Sequence, residues 1–213
     1  MKLRKLYPPF FWRYLAQRSF QRAHREAPLI VANAVILLDS WLKPLDRGLE
    51  WGSGRSTGWL AARLDHLVTI EHDRVWYDRV GANLRRANLA AKVDYRLIPA
   101  PAEQMAEPLG HPYAGIADEV ADQSLDLVLI DGQMRLRCMQ KALDKLKPGG
   151  LLVLDGANRY VPNRFDGGYT TVQVRQSEPL SKEWQEMLER LRDWRWMNTS
   201  DGLWDTRMWV KPS

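Results

Sequence analysis

Between Leu49 and Thr57 the chain reads Leu-Glu-Trp-Gly-Ser-Gly-Arg-Ser-Thr, an acidic residue near the end of a short apolar run and then a turn of small residues that opens a helix. Gly52 and Gly54 allow the backbone to come close to a ligand, and Ser53, Ser56 and Thr57 bring hydroxyls to the same turn. A second apolar run closes on Thr69-Ile70-Glu71-His72-Asp73. In nucleoside-binding α/β folds a carboxylate about 20 residues beyond the glycine turn holds the ribose hydroxyl pair. Glu71 is the candidate for that task, with His72 as its neighbour. Two further carboxylates, Asp131 and Asp155, each follow a nearly unbroken apolar run. Ligands bind outside the carboxyl ends of the strands in open α/β sheets, so both would face one cleft and are the candidates for acceptor chemistry.

Such a cleft needs parallel strands that all end on one edge. Short apolar runs at Gly48–Trp51, Leu67–Glu71, Val93–Ile98, Leu125–Ile130 and Leu151–Asp155 alternate with segments of helical character, the pattern of a parallel α/β sheet. The fourth and fifth runs are the most uniformly apolar and belong in the middle, covered by helices on both faces. Between them Leu136, Met139, Leu143 and Leu146 recur at helical spacing while Arg135, Arg137, Lys141 and Lys145 fall elsewhere, and Pro148-Gly149-Gly150 is expected to stop that helix. Ser181–Asp193 reads as another helix. Trp194–Thr199 and Trp204–Val210 then flank a Ser200-Asp201-Gly202 turn, a hairpin signal. Pro99–Ser124 and Gly156–Pro179 fit neither period and resist assignment, and long loops in compact domains are often functional.

With these segments placed, the chain resembles the class I S-adenosylmethionine (SAM)-dependent methyltransferases, in the subgroup whose glycine loop reads E-W-G-S-G-x-S-T. The resemblance runs from about Leu45 to the C-terminus. It implies a Rossmann-like sheet of seven strands, mostly parallel with an antiparallel C-terminal hairpin, represented here by Trp194–Trp209. It implies that Glu50, Trp51, Gly52, Ser53, Gly54, Ser56 and Thr57 wrap the methionine portion of SAM and that Glu71 binds the ribose beside His72. Ala102 with Glu103, and Asp131 with Gly132, would flank the adenine. The third glycine common in the family's loop is Ser56 here, and its hydroxyl is expected to cap the following helix.

Methyl transfer from a sulfonium mainly needs an aligned acceptor and a dry site, and a hydroxyl acceptor also gains from a base. Catechol-type relatives use Mg²⁺ for this, held in part by an Asp-Asn pair after the fifth strand. The chain has Asp155-Gly156-Ala157-Asn158 instead, so the favoured reading is metal-free, with Asp131 as base or cofactor contact, and Asp155 and Arg159 toward the acceptor. The Asn-Pro-Pro-Tyr motif of amino-methylating nucleic-acid enzymes is absent, with Asp131-Gly132-Gln133-Met134 in its place.

Residues 1–44 read as an N-terminal helical cap or extension and 45–213 as the SAM-binding domain. Pro28–Leu38, interrupted by Asn33, is too short to span a membrane and is expected to pack as a helix. Before it, arginines alternate with aromatic residues, which fits a cap over the acceptor pocket, contact with anionic lipid, or contact with RNA. The net charge of +5 favours anionic partners without naming one, and the single cysteine, Cys138, points to a cytoplasmic setting. The expected activity is methylation of a small-molecule or saccharide hydroxyl. The alternatives are an RNA methyltransferase and a SAM- or nucleoside-binding protein without catalysis. Oligomeric state leaves no mark on the sequence.

Overall fold

The computed structural model describes residues 8–101, 110–161 and 181–213. Seven strands form one sheet in the order β3-β2-β1-β4-β5-β7-β6. They are β1 (Arg47–Trp51), β2 (His66–Glu71), β3 (Val93–Leu97), β4 (Leu125–Ile130), β5 (Leu146–Asp155), β6 (Arg195–Ser200) and β7 (Asp205–Val210). The first five pair in parallel, and β7 runs antiparallel between β5 and β6. This is the Rossmann-like, mostly parallel sheet with the C-terminal hairpin expected from the sequence, and β4 lies at its centre.

Burial on both faces explains the uniform apolar character of the middle strands. Along β4, Val128 and Ile130 point into one core with Leu152 and Leu154 of β5, while Leu127 and Leu129 point into a second with Leu151 and Val153. Each such fully buried side chain contributes about 1.5–3 kcal/mol of transfer free energy. Helices α5 (Pro112–Gly115), α6 (Arg135–Ala142) and α7 (Lys182–Arg190) supply residues to the first core, and α2 (Ala32–Trp41) and α3 (Arg55–Ala61) to the second. Helix α4 (Arg74–Arg86) starts from Asp73, whose side chain accepts a bond from the Trp76 amide, a helix N-cap.

Two local expectations change. Helix α6 stops at Ala142, and Leu146 already belongs to β5. Leu125 pairs with Leu146 and Leu127 with Leu151, so residues 147–150 form a bulge inside the strand pair. Gly149 takes a φ of +79° there, so the Pro-Gly-Gly sequence shapes a strand irregularity rather than a helix end. Arg135, counted with the exposed basic residues of the helix, is instead buried at its first position, for reasons that lie in the site.

The expected packed helix near Pro28–Leu38 is α2, which starts at Ala32 and places Ala34, Val35 and Leu38 against Trp59, Leu60 and Leu127. Helix α1 (Pro8–Ala23) is tied to it through Gln17, whose Nε2 donates to the Ile30 carbonyl at 2.8 Å and whose Oε1 accepts from the Ala32 amide at 2.9 Å. Cys138 is buried. Among the described residues no helix is long and apolar enough to cross a membrane.

Candidate functional site

The strand register brings the chemistry to one edge. Ile130 stands level with Trp51 on one side and Leu154 on the other, so Gly52, Asp131 and Asp155 leave the sheet side by side. Strands β1 and β4 are neighbours although their crossovers lead in opposite directions, which opens a crevice at their carboxyl ends. The turns close tightly there. Gly52 has a φ of +91°, and a Cβ on it would stand 2.6 Å from the Gly132 amide nitrogen and 2.8 Å from the Asp131 carbonyl carbon. A Cβ on Gly132 would fall 2.0 Å from the Tyr113 hydroxyl. Only glycine fits either place, because the space a Cβ would take is already filled by the facing turn and, at Gly132, by the Tyr113 hydroxyl.

Around this crevice the carboxylates of β1 and β2 are heavily bonded. Glu50 is fully buried, and its Oε2 accepts from Thr57 Oγ1 at 2.7 Å and Thr69 Oγ1 at 2.6 Å. Its Oε1 is buried with no hydrogen-bond partner among the described residues. Burial raises this carboxyl above the usual range, against the hydroxyls of Ser56, Thr69 and Thr57, which lower it. Thr57, not Ser56, supplies the helix cap, since its Oγ1 accepts from the Gly54 amide at 2.9 Å. Trp51 turns its indole into the core and donates to the Tyr113 carbonyl at 2.7 Å, so only its backbone faces the crevice edge.

Glu71 is saturated. Its Oε2 accepts from the Ser53 amide at 3.1 Å and the Ser53 hydroxyl at 2.6 Å, and its Oε1 from the amides of His72 and Asp73 at 2.8 and 2.9 Å. Burial raises its pKa, but the hydrogen bonds from His72, Ser53 and the two amides outweigh it and hold the carboxyl below its ordinary value. His72 Nδ1 lies 2.9 Å from Glu71 Oε1, and this contact raises the imidazole pKa. The Tyr95 hydroxyl, 2.7 Å from Ser53 Oγ, completes the network from β3. Ala102 and Glu103 lie outside the described residues.

The ends of β4 and β5 are built differently. Asp131 and Asp155 are half-buried neighbours that repel each other. Burial, then the charge of Asp155, pushes the Asp131 carboxyl well above its usual range, and burial raises that of Asp155. Arg135 sits between them. Its Nε donates to the Gly132 carbonyl at 3.0 Å, its Nη1 to the Asp155 carbonyl, and its Nη2 lies 3.3 Å from Asp131 Oδ1. Thr206 Oγ1 of β7 donates to Asp155 Oδ1 at 2.6 Å and accepts from the Val31 amide at 3.4 Å, which links this corner to the segment between α1 and α2. A cavity of about 290 Å³ opens beside it, walled by Gln17, Gln21, Arg135, Asp155, Arg159 and Asp201.

Sequence reasoning missed Arg135, Thr206, Tyr113 and Gln17. Arg135 had a signal, because it stands four residues after Asp131 at the head of a helix, the spacing of an ion pair. Thr206 and Gln17 reach the site only through tertiary contact.

The two ligand groups considered in the sequence can now be tested against these residues. A nucleoside-linked amino acid such as SAM fits this edge, since Gly52 is partly exposed at the turn after β1, Glu50 holds a buried oxygen without a partner among the described residues, and Glu71 ends the neighbouring strand β2. A catechol-type Mg²⁺ site does not fit. Asn158, which would have to join Asp131 and Asp155 in holding the ion, spends its amide on the hairpin, with Nδ2 donating to the Leu203 carbonyl at 3.3 Å and Oδ1 accepting from the Asp205 amide at 3.1 Å. The cation between the two aspartates is already supplied by Arg135.

Comparison with known proteins bears on the same edge of the sheet. Residues 49–157 match the model of a family described as a methyltransferase domain. No curated protein matches the chain in sequence. Among solved structures, the O-methyltransferase TomG of Streptomyces achromogenes, involved in tomaymycin synthesis and bound to SAM, is 20% identical, with a TM-score of 0.58 over 92% of this chain and 89% of that one. A methyltransferase from Geobacter sulfurreducens is 16% identical with a TM-score of 0.56, covering 94% and 89%. An rRNA methylase from Streptococcus thermophilus is 12% identical with a TM-score of 0.55, covering 84% and 93%. At these identities the likeness is one of fold.

Proposed function

We propose that this chain, which belongs to the methyltransferase domain family, uses SAM to methylate a hydroxyl of a small molecule or saccharide. The observation that carries the proposal is the neighbouring pair Asp131 and Asp155, with raised pKa values, Asp155 lining a polar cavity and Asp131 adjoining the Gly52–Gly132 contact. The fold neighbour TomG is an O-methyltransferase with SAM bound, which favours the same cofactor and the same kind of acceptor.

SAM, when bound, supplies a methyl group on an electrophilic sulfonium. The chain's own residues would do the rest. The turn from Gly52 to Gly54 would receive the cofactor, Glu50 Oε1 would offer an acceptor to its amino group, and Glu71 would hold the ribose hydroxyls. Asp131 takes the proton of the acceptor hydroxyl as the oxygen gains its methyl, a task suited to a carboxyl whose pKa lies above the usual range. Arg135 holds the neighbouring Asp155 and steadies the charge on the pair. Gln17, Gln21, Arg159 and Asp201 offer donors and acceptors that suit a polyhydroxy compound.

The test is transfer of labelled methyl from SAM to a panel of sugars, polyols and phenols in the presence of EDTA. Label on a hydroxyl acceptor is the expected result. Label only on RNA, or transfer that requires Mg²⁺, would overturn it.

A further inference from the structure

Helix α1 is amphipathic in the wrong sense for a helix whose only task is to pack. Its inward face presents Gln17, which is buried, and Gln21, which lines the cavity, beside Phe20. Its outward face presents Trp12, 69% exposed, with Leu15 at 40% and Phe11 at 37%. A packed surface helix points its apolar residues to the core and its polar ones to water. The polar inward face has an explanation, since it walls the cavity and fastens the Ile30–Ala32 backbone. Among the described residues nothing covers the apolar outward face.

Charge narrows what could cover it. From residue 1 to residue 25 the sequence holds no Asp or Glu, and it carries Lys2, Arg4, Lys5, Arg13, Arg18, Arg22 and Arg25. Phe11, Leu15, Arg18 and Arg22 recur at the spacing of one helix face, with Arg18 and Arg22 exposed. Aromatic and aliphatic side chains beside arginines, without acids between them, match a surface that is apolar at depth and anionic at its boundary. A nucleic acid would use the arginines and stack bases on an aromatic ring, but it offers no apolar depth to cover Leu15 together with Phe11 and Trp12.

We infer that the outward face of α1 docks on an anionic membrane surface, with Phe11, Trp12 and Leu15 in the interfacial layer and Arg18 and Arg22 against lipid phosphates. Because Gln17 and Gln21 of the same helix wall the cavity, docking places the mouth of that cavity near the membrane.

The experiment is co-sedimentation of the full chain with vesicles of phosphatidylcholine alone and with phosphatidylglycerol as about a quarter of the lipid, at low and high salt. The chain is expected to sediment with the anionic vesicles only and to be released by salt. Trp12→Ser and the double change Arg18→Glu/Arg22→Glu should each lower the partition by about tenfold or more. Arg74→Glu, on the exposed side of α4, should leave it unchanged. Thermal melts and titration with S-adenosylhomocysteine show that each variant keeps its fold and its cofactor site, so failure to bind vesicles would not touch the proposed methyl transfer. No sedimentation, equal sedimentation with neutral vesicles, or indifference to the α1 substitutions would overturn the proposal. Salt-dependent retention on RNA without vesicle binding would overturn it too and place a nucleic acid on this face.

Discussion

Glu71 at the end of β2 and the aspartates at the ends of β4 and β5 handle buried charge in opposite ways, while Glu50 of β1 is raised by burial as the aspartates are. At the end of β2, Glu71 is met by three amides, a hydroxyl and the His72 imidazole, and its pKa is lowered. At the ends of β4 and β5, Asp131 and Asp155 face each other with Arg135 as their main counter-charge, and their pKa values rise. A carboxylate surrounded by fixed donors is a binding group, because its charge is settled before a ligand arrives. A carboxyl near its own neighbour, held above the usual range, is suited to taking up a proton. The difference separates a half that holds from a half that reacts.

The largest effect should follow from closing the crevice. Gly52→Ala puts a Cβ 2.6–2.8 Å from backbone at a φ of +91°. It should cost on the order of 2–4 kcal/mol through strain and weaken binding of S-adenosylhomocysteine by about a hundredfold or more. Calorimetry together with a thermal melt checks both. Arg135→Met should break the other half alone. It leaves the aspartates without their cation and should cost about 2 kcal/mol in stability and more than tenfold in transfer rate, with cofactor affinity changed less than about threefold. Equal loss of affinity in both variants would erase the distinction between the halves.

Glu71 and the aspartate pair should also answer pH with opposite signs. Because Asp131 and Asp155 titrate higher in the folded state than in the unfolded chain, their ionisation opposes folding as pH rises from the ordinary carboxylate range through the raised folded values. Glu71 titrates lower when folded, so its contribution is present above the ordinary carboxylate value and is lost as pH falls through the lowered one. At neutral pH, Asp131→Asn is therefore expected to raise the midpoint of thermal unfolding and Glu71→Gln to lower it. In the rate profile, Asp131→Asn should abolish an acid limb lying above the ordinary carboxylate range. The smallest effect is expected from Thr206→Val, which removes one hydroxyl bond to Asp155 and should cost about 1 kcal/mol in a chemical denaturation experiment.

The same division explains what could be read from the chain. The holding half is made of contiguous segments, Glu50–Thr57 and Thr69–Asp73, where residue types, spacing and strand period all agree, so the sequence alone indicates its parts. The strands at Leu125–Ile130 and Leu151–Asp155 were legible for a related reason, since burial on both faces leaves a nearly unbroken apolar run. The reacting half is assembled across long sequence distances. Thr206 meets Asp155 from the hairpin and Gln17 reaches the cavity from the first helix, contacts without any local pattern. Arg135 was misplaced because helical periodicity sorts residues by face and takes no account of a first-turn side chain folding back over the preceding strand end. The bulge at residues 147–150 defeated the pattern similarly, because a Pro-Gly-Gly sequence ends helices and also fills strand irregularities.

The central claim is that the carboxyl ends of β1, β2 and β4 hold SAM. Calorimetric titration of the purified chain with S-adenosylhomocysteine, alongside Glu71→Ala, tests it most directly. The account predicts one micromolar site in the chain and a loss of about a hundredfold in the variant, with the fold retained. No binding to the chain, or equal affinity in a folded Glu71→Ala variant, would contradict it.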